Sequence, residues 1–301
     1  MDNICKICNE IVLKDSHYYK NHKIKISDYH LKYFPKYDLY TKEQLLFKNK
    51  ENYFNSDFNN KINLKKYLES ISKENGLEYL KNWLLKRKEN KNLIYAPSHF
   101  ELKTLQYPSI KFFHKYYGLN SYEQICEDLN LIVRYDYNQK ITLENKQLNF
   151  VVDTRENSIL DVPNKQIQKL DVGDYTIENS NIIIEKKSLV DFCGTLSKGF
   201  YRFIKELERT KNNNKYLIIL VEEKFNNIQS IKYLPHTKKI KATSDFIFHR
   251  ARQILNLYPL NCQIACCDGK KDSINLIKHI FSIKNDSRTI DYQYLLDTNQ
   301  I

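Results

Sequence analysis

The chain has 301 residues, of which 42% are hydrophobic and 28% charged, a composition that supports a folded core and excludes a wholly disordered protein. No run of about 18 apolar residues occurs, and the first residues do not resemble a secretion signal. We therefore expect a protein of the cytoplasm or nucleoid, or of the nucleus or host cytoplasm if its source is eukaryotic or viral. Lys and Arg outnumber Asp and Glu by 48 to 36, giving a net charge of +12, which favours a polyanionic partner such as DNA.

The first 40 residues carry a candidate zinc site. Two cysteines separated by two residues precede two histidines separated by four residues, namely Cys5, Cys8, His17 and His22. Two thiolates and two imidazoles complete a tetrahedral Zn²⁺ site, which lets a short segment fold. The pattern resembles a C2H2 zinc finger over residues 1–40, although the interval before the histidines is short and His30 could replace either of them. Lys20 and Lys23 are expected to contact DNA phosphates.

A linker and a helical region are predicted next. Residues 41–74 are polar and rich in asparagine, as linkers are. Residues 75–133 show helical periodicity with tight turns. Their Pro-Ser turns at 97–98 and 108–109 resemble the short helical repeats appended to phage homing endonucleases, which implies a helix-turn-helix-like DNA-binding region; a plain helical spacer fits nearly as well. Two capping boxes are predicted, Ser98 with Glu101 and Ser121 with Gln124.

The pattern changes to α/β over residues 146–290. Short apolar runs alternate there with helical stretches, which predicts a sheet covered by helices. Tyr216–Val221 is apolar on both faces, as a strand with helices on both sides should be. Runs at 148–152, 169–177 and Ile182–Lys187 predict three more strands, the last two joined as a hairpin.

Acidic residues and a lysine accompany these strands. Period two places Glu185 and Lys187 on one face of their strand, and Asp174 on the preceding hairpin strand can face the same side. Asp153 and Glu156 follow another strand at its C-terminal end, where α/β sheets bind ligands. Several carboxylates beside a lysine favour a Mg²⁺ or Mn²⁺ site that activates water against a phosphate.

Three of these segments resemble the nuclease domain of the XPF-type structure-specific endonucleases. They are V-D-x-R-E at 152–156, G-D-Y at 173–175 and E-K-K-x-x-x-D at 185–191, and the resemblance covers about residues 146–285. It implies a restriction-endonuclease-like core with a PD-(D/E)xK site. The roles it implies are metal ligation by Asp174 and Glu185 with Asp153 in support, catalysis by Lys187, and support around metal and phosphate by Arg155, Glu156 and Asp191.

Some positions depart from that family or have a second interpretation. Lys186 stands where the family usually has arginine, and Arg202 follows the G-x-x-R-F pattern of bacterial and phage members; both are expected to contact DNA. Asp191 could instead cap a helix with Ser188. We expect no tandem helix-hairpin-helix module of the kind that eukaryotic and archaeal relatives carry after the nuclease.

The sequence thus predicts a Mg²⁺- or Mn²⁺-dependent DNA endonuclease, directed to specific sites by its N-terminal modules. Three alternatives are open: a nuclease for branched DNA, an inactive DNA-binding scaffold, and a nuclease acting on RNA. XPF-type nuclease domains commonly dimerise, so a homodimer through this domain is also open.

Overall fold

A computed structural model of the chain describes residues 4–46, 56–105, 107–231 and 240–301. The chain divides into two compact units, residues 1–92 with 106–108 and residues 93–105 with 109–301. No helix in the described ranges is both long and apolar enough to cross a membrane.

In the residues that the structure describes, the N-terminal unit contains a small hairpin and four helices. A bridge between Ile4 and Ile11 closes the hairpin. Trp83 stacks on Tyr107, which returns to this unit from later in the chain. The helices are α1 (Ser16–His22), α2 (Ile26–Tyr33), α3 (Lys61–Ser70) and α4 (Lys73–Lys91).

The stretch 41–74, which we predicted as a linker, is largely structured where the structure describes it. Helix α3 lies within it, and α4 begins at Lys73. The fully buried Asp38 accepts hydrogen bonds from the backbone of Asn59 at 2.8 Å and the side chain of Asn63 at 2.8 Å. A buried carboxylate must have such partners, so this contact ties the stretch into the unit. Residues 47–55 of the predicted linker lie outside the described residues.

Three short helices open the second unit, α5 (His99–Thr104), α6 (Ile110–Tyr117) and α7 (Ser121–Asp128). The capping box of Ser98 and Glu101 is confirmed. The second box is wrong, because Asn120 in the left-handed conformation (φ 67°) precedes α7 and no side chain caps it. These helices belong to the same compact unit as the sheet, so they do not form the separate region that we predicted. Their helix-turn-helix-like role stays a prediction.

The predicted α/β class is confirmed by a mixed sheet of six strands in the order β2-β1-β3-β4-β5-β6. The pairs β1–β2, β4–β5 and β5–β6 are parallel, and β3 runs antiparallel to β1 and β4. As predicted, β5 is buried at every position. The strands are β1 (Phe150–Val152), β2 (Gln166–Ile167), β3 (Tyr175–Ile177), β4 (Ile182–Lys187), β5 (Tyr216–Val221) and β6 (Cys262–Cys266).

Six α-helices accompany the sheet in the part of this region that the structure describes. They are α8 (Leu189–Leu196), α9 (Phe200–Asn212), α10 (Phe225–Gln229), α11 (Ser244–Leu257), α12 (Gly269–Ser282) and α13 (Tyr292–Asp297). Residues 189–212 form two helices and not one, because the backbone of Ser197 is not helical (φ −103°, ψ −94°) and α8 ends there. Buried side chains of α8, α9, α11 and the sheet form one hydrophobic core cluster.

Candidate functional site

The β3–β4 hairpin positions two acidic residues. Its turn contains Asn179 at φ 60°, a conformation that asparagine tolerates. The backbone N–H of Asp174 donates to Ile184 at 2.8 Å, and the Asp174 carboxylate accepts from the N–H of Lys186 at 2.7 Å. The preceding Gly173 has φ 74°, and a Cβ there would collide with Ile183. The tight packing fixes Asp174 beside the strand that carries Glu185.

Electrostatic coupling joins Asp174, Glu185 and Lys187. Burial, and then the negative charge of Glu185, raise the pKa of Asp174 to about 8. The Lys187 ammonium contacts the Glu185 carboxylate and lies 5.8 Å from the Phe203 ring centroid. Burial opposes its charge, but the attraction of Glu185 outweighs burial and raises the pKa of Lys187. The lysine is therefore charged at neutral pH, while burial, and then the charge of Glu185, oppose ionisation of Asp174.

This donor set fits a hard divalent cation. Mg²⁺ and Mn²⁺ take carboxylate oxygens as ligands. A cation between Asp174 and Glu185 would remove the repulsion that raises the pKa of Asp174. The two residues therefore suit the group that the resemblance implies.

The Asp153 carboxylate is hydrogen-bonded to Arg155 and to the backbone of Leu170. Its carboxylate is 1% exposed and accepts from Arg155 through the backbone N–H at 2.7 Å and through Nε at 2.7 Å and Nη2 at 3.0 Å. The N–H of Leu170 donates to it at 2.6 Å. The Arg155 bonds outweigh burial and lower the pKa of Asp153 to about 2. In this arrangement Asp153 orients Arg155, and a role as metal ligand stays a prediction.

Lys186 occupies the opposite face of β4, as alternation requires. Its ammonium lies 3.5 Å from Glu156 and 3.6 Å from Glu222, and its side chain is 6% exposed. It also donates to the carbonyl of Ser158 at 3.0 Å. We expected Lys186 to contact DNA, but a lysine enclosed by two carboxylates has no surface with which to do so. Sequence reasoning missed Glu222, whose position directly after the buried strand β5 was the available signal.

Asp191 and Arg202, which we also expected to contribute to the site, lie at the surface. The Ser188 hydroxyl donates to the Asp191 carboxylate at 2.6 Å and accepts from the Asp191 N–H at 3.2 Å. The capping alternative for Asp191 is therefore what the structure shows. Arg202 is exposed on α9, available to a phosphate, and its DNA contact stays a prediction.

The four predicted zinc ligands come together in the N-terminal unit. The described residues contain one group of three or more His, Cys, Asp or Glu whose ligand atoms all lie within 4.8 Å of one another, namely Cys5, Cys8, His17 and His22. Cys5 Sγ lies 3.4 Å from His22 Nε2, and Cys8 Sγ lies 3.4 Å from His17 Nε2. Such a cluster could bind zinc.

The fold of the segment explains this convergence. The hairpin presents the cysteines, and α1 presents both histidines. Burial opposes ionisation of Cys5, but the N–H groups of Cys8 and Ile7 outweigh it and lower the pKa of this thiol to about 6, which favours the thiolate that binds a metal. His30 lies outside the cluster and packs against the rings of Tyr18 and Phe34.

The mixed sheet accompanied by helices is the restriction-endonuclease-like (PD-(D/E)xK) nuclease core that the sequence predicted. The ERCC4 domain matches residues 125–280, more than half of the 301 residues. The chain therefore belongs to the ERCC4-domain family, the XPF-type nucleases, and the resemblance seen in the sequence is confirmed.

Two solved structures are similar to part of the chain, XPF from Aeropyrum pernix and the same protein in complex with DNA. They are 22% and 20% identical to it, with TM-scores of 0.32 and 0.33. The matches cover 43% and 44% of this chain and 62% of each of those chains, which is less than two thirds of their length. No curated protein matches the sequence significantly.

Proposed function

We propose that the chain is a Mg²⁺- or Mn²⁺-dependent DNA endonuclease that hydrolyses phosphodiester bonds at sites selected by its N-terminal modules. The observation that supports it most directly is the coupling of Asp174 and Glu185 beside the charged Lys187 in a domain of the ERCC4 family. Perturbed carboxylates next to a buried lysine are typical of catalytic sites.

Each side chain has a defined task in this proposal. Asp174 and Glu185 hold the cation. A bound cation supplies a water of lowered pKa and screens the charge of the scissile phosphate. Lys187 donates hydrogen bonds to the attacking water or to the phosphate oxygens as negative charge develops there. Asp153 holds Arg155, whose side chain is 62% exposed, so that its guanidinium can contact a DNA phosphate.

Site selection is assigned to the N-terminal unit. The four-residue Cys/His cluster would hold a structural Zn²⁺ and so fix α1. Lys20 and Lys23 are exposed at the end of that helix, where their ammonium groups can reach phosphates. Such contacts add affinity and register, while base contacts add sequence preference. The net charge of +12 is consistent with DNA as the partner.

A cleavage assay with matched variants tests the catalytic part. Supercoiled plasmid, a fork and a flap are incubated with the full chain, with Mg²⁺ or with EDTA. We expect Mg²⁺-dependent cleavage by the wild type and a loss of at least a hundredfold in rate for Asp174→Asn, because the cation loses a charged ligand. The control is Asp171→Asn, an exposed carboxylate three residues earlier, which should cleave as the wild type does.

The substrates and the DNA ends separate the alternatives. Cuts at fixed plasmid sequences favour site selection, whereas cuts only at the fork or flap favour branch recognition. If the wild type and Asp174→Asn are equally inactive on every DNA and RNA substrate, the nuclease activity is refuted and the inactive DNA-binding scaffold remains. Faster cleavage of matched RNA assigns the activity to RNA. Self-association through the nuclease domain is a separate proposal, which sedimentation of the full chain tests.

A further inference from the structure

Helices α9 and α11 bring three aromatic rings and a guanidinium group together at the surface of the second unit. The guanidinium carbon of Arg250 lies 4.2 Å from the centroid of the Phe200 ring and 5.5 Å from that of Phe246. The Tyr201 ring meets the Phe200 ring edge to face, with 5.7 Å between the centroids. These four side chains form one continuous surface, which we call the aromatic patch.

The aromatic patch opens to solvent at two of its rings. Tyr201 is 76% exposed and Phe246 is 39% exposed. Every other aromatic side chain that the structure describes within residues 93–301 is less exposed than these two. Apolar residues scattered singly over a surface need no explanation, but both of these rings lie at one place.

The surroundings of Tyr201 are basic. Lys198, Arg202 and Lys205 are exposed, and no acidic residue stands between Lys198 and Lys205. Arg250 adds a guanidinium that is already stacked on a ring, as arginines in nucleic-acid-binding grooves are. An aromatic surface among cations fits a nucleic acid strand, whose phosphates are negative and whose bases have flat faces. Lysine is depleted in protein–protein interfaces, which argues against a protein as the occupant.

The aromatic patch also lies close to Lys187. The Lys187 ammonium is 5.8 Å from the centroid of the Phe203 ring. Phe200 precedes Phe203 by one turn of α9, about 5.4 Å along the helix axis, and both rings belong to the same core cluster. Nucleotides of one strand rise about 3.4 Å each along a duplex. A strand with a phosphate at Lys187 can therefore reach the patch with a nearby nucleotide.

We propose that the aromatic patch binds an unpaired nucleotide of the DNA substrate next to the phosphate that is cut. The base stacks on the Tyr201 ring, and Phe246 with Arg250 extends this surface to the next nucleotide. A base inside a duplex is not available for this contact, because it is stacked and paired. The inference rests on the proposed DNA cleavage and adds a substrate class to it, namely DNA with unpaired bases beside the cut.

Binding of DNA without Mg²⁺ or Mn²⁺ tests this inference by a readout other than cleavage. A duplex with a short single-stranded gap carries 2-aminopurine in the gap, and a filled duplex carries the same base paired. We expect the full chain to quench the fluorescence of the unpaired base, because this base stacks on a ring. Tyr201→Ala should lose the quenching and bind the gapped duplex about fivefold or more weakly. Tyr201→Phe keeps the ring and should behave as the wild type does.

Leu260→Ala is the matched control, because Leu260 is an apolar residue of the same unit that is 59% exposed and lies beyond the end of α11. It should bind both duplexes as the wild type does. If Tyr201→Ala keeps the wild-type quenching and affinity, the inference is refuted. An equal loss of affinity for the gapped and the filled duplex would also refute it, since the ring would then not distinguish unpaired bases.

The cleavage assay separates this inference from the proposed function. If the wild type cleaves with Mg²⁺ while Tyr201→Ala binds gapped DNA normally, the aromatic patch is refuted and the nuclease stands. If the wild type stacks the unpaired base but cleaves no substrate, the nuclease is refuted and the patch stands as a DNA-binding surface. Urea unfolding checks that Tyr201→Ala is folded, since truncation of so exposed a side chain should not lower the midpoint.

Discussion

Replacing Gly173 by alanine tests how the hairpin holds Asp174 in place. At φ 74° an alanine is strained, and its Cβ would collide with Cγ2 of Ile183 and lie 3.1 Å from the Ile184 carbonyl oxygen. The left-handed conformation costs about 1–2 kcal/mol for a residue with a Cβ. Overpacking of a filled site costs about 1–3 kcal/mol more. We therefore expect Gly173→Ala to lower the free energy of unfolding by about 2–5 kcal/mol.

Gly269 offers a matched control for that experiment. It also has φ 74°, but a Cβ there would meet nothing within 4 Å. Gly269→Ala should cost only the conformational part, about 1–2 kcal/mol, so the difference between the two variants isolates the collision. Urea unfolding followed by far-UV circular dichroism measures both, because the single tryptophan lies in the other unit. Equal losses for the two variants would refute the packing argument for Gly173.

Two more predictions concern charge and metal. Burial opposes ionisation of Asp297, but hydrogen bonds from His99 at 2.8 Å and Lys103 at 2.6 Å outweigh it and lower its pKa to about 2. That value lies below the unfolded one near 3.9, so the stabilisation is complete above about pH 4 and is lost as the pH falls towards 2. Asp297→Asn should lower the free energy of unfolding at pH 7 by about 1–2 kcal/mol. Urea unfolding at a series of acidic pH values should also show a smaller loss of stability with falling pH than in the wild type. An equal loss in both proteins would contradict the pairing. For the zinc cluster, we expect a colorimetric chelator assay to find one zinc per chain, which Cys8→Ser should lose and Cys126→Ser should keep. Removal of the zinc by a chelator should lower the helical signal in circular dichroism. Equal zinc content in both variants would exclude the cluster as the site.

Strand alternation allowed much of the site to be predicted from sequence. It correctly separated Lys186 from Glu185 and Lys187 on the two faces of β4. It could not say what covers the other face. The partners of Lys186 come from the ends of β1 and β5, and such contacts depend on the order of strands in the sheet.

The phase of the helices over residues 189–212 could not be predicted from the sequence. A single helix over 189–212 would have carried one continuous apolar face through α8 and α9. The non-helical backbone of Ser197 ends α8, and the turn to Gly199 starts α9 with a different phase. The face of α9 that meets the hairpin is therefore fixed by the turn and cannot be counted from the preceding helix.

A similar limit applies to Asp153. The motif shows an arginine two residues away, but local spacing does not decide whether the carboxylate binds that arginine or a cation. In the structure the nearly fully buried carboxylate accepts hydrogen bonds from Arg155 and from the backbone N–H of Leu170, donors that a buried charge requires, and the second of them lies too far along the chain for local spacing to indicate it.

The return of Tyr107 to the N-terminal unit has a consequence for dissecting the protein. A fragment ending at residue 92 would contain Trp83 but lack the ring on which it stacks. The indole would then be open to water on one side, and its emission would shift to longer wavelength. A single proteolytic cut therefore cannot divide this chain into two intact halves, and the N-terminal half is best studied by point substitution in the whole protein.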